Sequence, residues 1–322
     1  MKKSNQYNRR SFVKLSAAGA LGTIPLVSSA NNLFQNSLEV KPLKVYVFSK
    51  ALQFLDYDEL SKVVKEIGFD GIDLTVRPKG HVLPENVAVD LPKATKAMKK
   101  AGLLTNMIST KAVDPSDPSH VKVLEEASKL GYSLYRTGWI KYPKETPVQE
   151  SLVTYRKQLV ELSKLNEKLG ITGGYQNHAG NYLGAPVWDL KQMFEGIDPQ
   201  ILGMQYDIMH ATVEGAQSWH LGLEYTKEHL NSLVVKDFKW ELVEGKWKRK
   251  YMPLGEGMVN FKKYLKFLVK NKINLPVSMH FEYDLGGAEH GKIPTMKKEE
   301  IYAKMKKDLL FLREAWNKAN NL

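Results

Sequence analysis

From residue 43 onward, apolar positions follow two alternating rhythms. Short β-rich runs bounded by loops give way to longer stretches in which apolar residues recur every three or four positions. Leu43–Phe48 is the first run. Tyr57–Ile67 follows it, with Leu60, Val63, Val64 and Ile67 on one helical face and Gly68 as the stop. The same succession predicts strands over Phe69–Val76, Leu103–Ser109 and Ser133–Gly138, with helices over Leu91–Ala101, Val121–Leu130 and Val148–Leu169. A strand then leaves Ile171 toward Gln176, and a helix covers Val187–Phe194. Next come a strand at Leu202–Tyr206, a helix at Ala216–Lys227 and a strand at Ser232–Val235. A helix over Phe261–Val269, a strand over Val277–Phe281 and a helix from Lys298 to about Asn317 close the chain. Helix–glycine–strand junctions at Gly68, Gly102, Gly131 and Gly170 mark repeated βα units. Eight strands alternating with eight helices predict a single-domain α/β protein, a (β/α)8 TIM barrel spanning residues 43–318. Periodicity alone would also suit an open doubly wound sheet, and the count of eight decides for the barrel.

One stretch breaks the alternation. Phe238–Met252 reads as a hairpin with Glu244-Gly245 at its turn, inserted after strand seven. Its amphipathic pattern suits a cover over the barrel mouth, with Trp240 a candidate for touching a substrate.

Composition changes this picture only in places. The 322 residues are 43% hydrophobic, enough for a large core, and contain no cysteine, which excludes disulfides and thiolate metal ligands. Of the formal charge of +12, the first thirty residues supply +5 through Lys2, Lys3, Arg9, Arg10 and Lys14. The remainder is spread over helix surfaces such as Lys96, Lys99 and Lys100, so solvated faces explain it better than a nucleic-acid surface. Residues 1–30 combine a basic start, an apolar run over Leu15–Val27 and the small exit Ser28-Ser-Ala30. Arg9-Arg10 before Ser-Phe-Val-Lys14 looks like a twin-arginine export signal. The expectation is cleavage near Ala30, a short tail over 31–42, a periplasmic or otherwise exported protein and no stable membrane anchor.

Chemistry gathers at the strand ends. Gln176 and His178 stand two apart, as do His280 and Glu282, so each pair shares a strand face. Tyr206-Asp-Ile-Met-His210 and Leu233-Val-Val-Lys-Asp237 are apolar runs that also end in titratable groups. Polar groups at the C-terminal ends of several barrel strands predict one pocket at one end. Arg136 and Trp139, at the end of strand four, suit a substrate oxygen and the face of a sugar ring. Neither Gly173-Gly174 nor Gly286-Gly287 has the spacing of a dinucleotide site, and no serine or cysteine nucleophile motif is present.

Several short motifs, in this order, resemble the xylose isomerase-like TIM barrels of the sugar phosphate isomerase/epimerase family. They are Gly68-Phe-Asp-Gly-Ile-Asp73, Gln176-Asn-His178, Asp207-Ile-Met-His210, Lys236-Asp237, Pro253-Leu-Gly-Glu-Gly257 and Pro276-Val-Ser-Met-His-Phe-Glu282. The resemblance implies a divalent metal at the barrel mouth, held by Glu, Asp, His and Glu, with the two glutamates moving a proton through an enediolate. Here those positions carry Gln176, Asp207, Val234 and His280, while His210 matches a sugar-binding histidine. A glutamine can ligate a hard cation but carries no charge and takes up no proton.

The resulting expectation is a sugar isomerase- or epimerase-like enzyme working beside a carbonyl. Its metal (Mn, Zn or Fe) would sit on Gln176, Asp207 and His280. His178, Lys236 and Glu282 would do the proton chemistry, and Arg136, Trp139, His210 and Trp240 would hold the substrate. The partner is a free sugar or glycoside, with neither nucleic acid nor membrane involved, and self-association stays open. β-Elimination on a 3-keto-glycoside and a non-catalytic sugar-binding barrel are the alternatives. A DNA-repair endonuclease would need a cluster of about three metals and more ligands than eight histidines leave.

Overall fold

Parallel strands covered on both faces are buried at nearly every position, and the barrel strands obey this. In the computed structural model, which describes residues 41–321, all four residues of β1 (Val45–Phe48) and all five of β2 (Gly71–Thr75) are buried. β3 (Met107–Ser109), β4 (Leu134–Arg136), β5 (Thr172–Gln176), β6 (Leu202–Asp207) and β7 (Leu230–Val235) continue the wall. The inserted hairpin consists of β8 (Asp237–Val243) and β9 (Lys246–Met252), and β10 (Val277–Met279) completes the barrel. The eight wall strands close in the order β1-β10-β7-β6-β5-β4-β3-β2, all in parallel register, while β8 and β9 pair only with each other. The TIM-barrel expectation and the hairpin after the seventh strand both hold. Inside the barrel, Tyr46, Met107 and Leu134 pack together.

Helices cover the outside because each carries one apolar stripe. α1 (Tyr57–Ile67) buries Leu60, Val63, Val64 and Ile67, is capped by the Asp56 side chain on the Glu59 amide, and ends at Gly68 with φ 108°. Such a cap contributes about 1 kcal/mol. α2 (Val87–Lys100) begins four residues before the expected start at Leu91, despite Pro92 within it. Val87, Leu91, Ala94 and Met98 form one buried stripe, and that burial outweighs the proline's lost hydrogen bond. α3 (Pro118–Lys129), α4 (Val148–Leu169), α5 (Trp188–Phe194), α8 (Phe261–Lys270) and α9 (Lys298–Asn320) match expected helices closely.

One expected helix was misplaced. In place of Ala216–Lys227 there are two: α6 (Ile208–Gly215) and α7 (Trp219–Thr226). Asp207 closes β6 and caps α6, accepting the His210 amide at 3.0 Å, so strand turns into helix with no loop between. The apolar Ile208-Met209 beyond Asp207 hid that junction. β10 is shorter than Val277–Phe281, which leaves His280 and Glu282 on the loop beyond it. No helix among the described residues is long and apolar enough to cross a membrane. The leader over 1–30 and nearly all of the tail expected over 31–42 lie outside the described residues.

Candidate active site

The C-terminal ends of the strands surround a cavity of about 60 Å³. A larger groove of about 580 Å³ lies between α8 and α9, lined by Phe261, Phe311 and surface lysines, but it gathers no convergent catalytic groups. Chemistry, rather than size, singles out the mouth.

One side of the mouth is a closed hydrogen-bond network on β5, β6 and β7. Gln176 donates its amide nitrogen to Asp207 Oδ2 at 2.8 Å and accepts from Arg136 Nη1 at 3.2 Å. Arginine only donates and carboxylate only accepts, so this sandwich sets which way the amide faces. Asp207 Oδ2 also meets Lys236 Nζ at 3.2 Å, and that ammonium lies 2.9 Å from His210 Nε2 and 3.5 Å from Glu282 Oε1. Asn177 fastens the frame: its amide donates to the Asp207 carbonyl at 3.0 Å, and its oxygen accepts the Asp207 N–H at 2.7 Å.

The other side, from β1, β2 and β4, is open. Phe48 stacks on the His280 ring, centroids 4.1 Å apart. The Arg77 and Arg136 guanidiniums lie 5.4 and 5.7 Å from the Phe48 centroid, and Arg136 also covers Trp139 at 4.5 Å. Arg77 Nε, Arg136 Nε, Trp139 Nε1 and both ring nitrogens of His280 are buried with no hydrogen-bond partner among the described residues. Beneath them Asp73 accepts from Ser109 at 3.0 Å and Ser278 at 2.6 Å, with its other oxygen unpaired.

The electrostatics follow from this layout. Burial pulls Lys236 down, but Asp207 and Glu282 together overcome it and hold the ammonium above its ordinary value. For Glu282, burial works upward, and Lys236 and His280 outweigh it, so the carboxylate is held well below its usual range. Burial, reinforced by Lys236, lowers His178 to about 4 and His210 well below its usual value. Burial likewise takes His280 to about 3. At neutral pH the mouth therefore contains a cationic lysine, an anionic Glu282 and three neutral imidazoles.

With this geometry in view, the sequence was compared with known proteins. The xylose isomerase-like TIM barrel family matches residues 61–306. The chain belongs to that family. No curated protein sequence matches significantly. Among solved structures, D-psicose 3-epimerase of Clostridium cellulolyticum H10 is 14% identical with a TM-score of 0.64, covering 85% of this chain and 99% of its own. The 3-keto-D-glucoside 4-epimerase of E. coli is also 14% identical, TM-score 0.61, with coverage of 84% and 99%. A probable 3-DHS dehydratase of Bacillus anthracis is 15% identical, TM-score 0.60, with coverage of 83% and 98%. Likeness at this level shows the shared fold.

Within this barrel family the expected metal site is where the chain departs. Gln176 offers Asp207 its NH2 rather than its oxygen, which Arg136 occupies. Val234, at a family ligand position, has no donor. The Lys236 ammonium stands between Asp207 and Glu282 and takes up the Asp207 oxygen that Gln176 also holds. No three His, Asp or Glu side chains among the described residues converge to hold a metal ion. The donors expected on Gln176, Asp207 and His280 thus do not fit a metal as they stand.

His178, Lys236, Glu282, Arg136, Trp139 and His280 all line the cavity as expected, with Gln176 beside them. His210 stands behind, its ring 4.0 Å from His178 and its Nε2 on Lys236, where it touches the lysine rather than the open space. Trp240 does not reach the cavity: it is 40% exposed and packs edge-on against Phe238. Its strand neighbour across the hairpin, β9, instead brings Tyr251 toward Glu282, and burial and that carboxylate raise the phenol. Asp237 pairs with no lysine; it accepts the amides of Phe238, Gly255, Gly257 and Val259 and so builds the loop after the hairpin. A Cβ at Gly257 would collide with that carboxylate, which explains the glycine in Pro253-Leu-Gly-Glu-Gly257. Phe48, Lys50 and Arg77 were missed. Phe48 ends β1, Lys50 lies two residues past it and Arg77 two residues past β2, so their place at strand ends was the available signal.

Proposed function

We propose that this barrel is a sugar-active enzyme that moves a proton on the carbon beside a carbonyl. The observation that carries the reading is Lys236, a buried ammonium held by Asp207, Glu282 and His210 and opening onto a cavity that contains two neutral imidazoles. An oxyanion developing on the substrate finds Lys236 already in position, with no reorganisation needed as charge builds. His280 takes the proton on a free ring nitrogen. Glu282, 4.0 Å from its Nδ1, then stabilises the imidazolium that forms. His178 donates its Nδ1–H to the Ala179 carbonyl at 2.9 Å, which leaves Nε2 as an acceptor; a proton it takes up from solvent is returned to the substrate from there, while His280 gives the proton it removed to solvent. Two bases, one beyond β5 and one beyond β10, suit removal from one face and return to another, the requirement of epimerisation. No step passes through a metal, since the donors do not fit one.

A second outcome has support in the same residues. If the carbon beyond the enediolate carries a glycosidic oxygen, the intermediate expels it, giving β-elimination on a 3-keto-glycoside. The three structural relatives named above, two epimerases and a dehydratase, support proton chemistry beside a carbonyl in both forms. From the Arg9-Arg10 leader alone we further propose export, with cleavage near Ala30; sequencing the N-terminus of the secreted protein checks it.

The test is incubation in D2O with keto-hexoses and with 3-keto-glucosides, followed by NMR. Deuterium at the carbon beside the carbonyl, or release of the aglycone, is expected from chelator-treated wild type and not from His280→Gln. Binding without exchange or elimination would leave a sugar-binding barrel, and activity abolished by chelation would restore the metal.

A further inference from the structure

The cavity lining carries four cations, Lys50, Arg77, Arg136 and Lys236, and one carboxylate, Glu282. Lys236 is answered by Asp207 and Glu282. The other three have no ion pair within 4 Å among the described residues, and Glu282 acts on them only from farther off. No side-chain hydrogen bond or ion pair within 4 Å engages Arg77 among the described residues, and its Nε is buried and unpartnered. Arg136, 2% exposed, spends Nη1 on Gln176 and Nη2 on the Thr110 carbonyl, leaving Nε empty beside Trp139 Nε1, also empty. Two guanidiniums share the Phe48 ring, and burial followed by Arg77's charge lowers Arg136 to about 9. Asp73 lies below both without reaching ion-pair distance, and burial raises it, so it offsets them weakly.

Unpaired buried donors and uncompensated cations are costly unless a ligand completes them. We infer that the open side of the mouth, Arg77 and Arg136 with Lys50 at the rim, binds a carboxylate carried by the sugar, so that the substrate is an acidic sugar such as a uronate or its keto derivative. Three features select a carboxylate over a hydroxyl. Guanidinium edges meet it in a planar fork, the net positive lining takes up one negative charge, and a space of about 60 Å³ suits one small group rather than a whole ring. The sugar's reactive carbon then faces Lys236 and His280, which share the cavity with the arginines. This inference rests on the proposed sugar site and adds its substrate class.

Calorimetric titration of the full protein with D-glucuronate, D-galacturonate, D-glucose, glucuronamide and inorganic phosphate tests it. We expect the uronates to bind at least about tenfold tighter than glucose or glucuronamide, with the gap narrowing as salt rises. Arg77→Met should bring that ratio close to one. Arg77→Lys, which keeps the charge but loses the fork, should restore part of it, separating recognition from a folding defect seen by circular dichroism. Equal binding of acidic and neutral sugars overturns the inference while leaving the sugar reading intact. Tight phosphate binding without uronate binding overturns the carboxylate. Uronate preference without deuterium exchange upholds the subsite and removes the proton-transfer reading instead. No binding by any probe overturns the inference.

Discussion

The two sides of the barrel mouth use the same kinds of side chain to opposite ends. On β5, β6 and β7, each charge has an answer: Gln176 and Lys236 on Asp207, Lys236 again on Glu282, Asn177 on the Asp207 backbone. On β1, β2 and β4, Arg77, Arg136 and Trp139 are brought together just as closely and left with empty donors. A buried network whose charges are paired rigidifies its members, even though the Nδ1 of neutral His210 within it has no hydrogen bond among the described residues, and one left half satisfied is a cost that folding alone does not repay. The first side therefore positions the reactive lysine, and the second is built for something the chain itself does not supply. That contrast predicts which substitutions harm the fold and which harm only binding.

The largest effect belongs to Lys236. Lys236→Met leaves Asp207 and Glu282 as uncompensated buried carboxylates and should cost about 3–5 kcal/mol in urea unfolding, with deuterium exchange reduced by at least about 10²-fold. Adding Asp207→Asn should recover part of the stability and none of the exchange. A Lys236→Met protein as stable as wild type would mean that the networked side is not a network. Next comes Asn177→Ala, which removes two buried hydrogen bonds to the Asp207 backbone and should cost about 2 kcal/mol in the same assay.

Asn177 also shows how far the sequence was legible. Its neighbours Gln176 and His178 were read as one face of a strand, and both do reach the mouth, yet Asn177 between them holds the frame. Strand period reveals which residues share a face, but not which of them spends its bonds on a neighbouring strand's backbone. The barrel itself was readable because short β-rich runs alternate with helices that carry one apolar stripe, and that alternation leaves a trace in the sequence. Asp207 was legible as a strand end but not as the cap of α6, since Ile208 and Met209 continue the apolar run across the junction. Arg77 was legible only as a place past a strand end: nothing local in Thr75-Val-Arg-Pro78 says that its guanidinium will share a phenyl ring with Arg136, fifty-nine residues on. Trp240 was overvalued because an alternating hairpin shows which residues share a face, not which face the barrel takes.

A smaller effect tests how the open side is held up. His81 follows the Arg77 loop and ties it to the loop after β1, its Nδ1 3.0 Å from Ser49 Oγ and its Nε2 3.1 Å from the Leu52 carbonyl. Burial lowers His81 from 6.5 to about 4. Between those values the unfolded chain binds a proton that the folded one does not, so this contribution is complete above pH 6.5 and is lost as pH falls toward 4. His81→Gln should therefore cost about 1 kcal/mol at pH 7.5. Its Tm deficit relative to wild type should shrink steadily from pH 6.5 to 4.5. A deficit that stays constant across that range would show that His81 titrates normally and that the loop is not held through a neutral imidazole.

The smallest expected change is the most informative. If Arg77 is held for a ligand rather than for the fold, replacing it removes no protein partner, and Arg77→Met should change unfolding free energy by no more than about 0.5 kcal/mol. Relief of its repulsion with Arg136 would offset part of any loss, since Arg77's charge lowers Arg136 over the shared Phe48 ring. A loss of about 2 kcal/mol or more would instead mean that Arg77 is tied into the fold through Asp73, that its charge is compensated from below, and that the two sides of the mouth are one network after all. The same measurement on Arg136→Met sets the scale, because Arg136 does give two hydrogen bonds to the protein and should lose more. It is the ordering, Arg136 costly and Arg77 free, that follows from one side being closed and the other open.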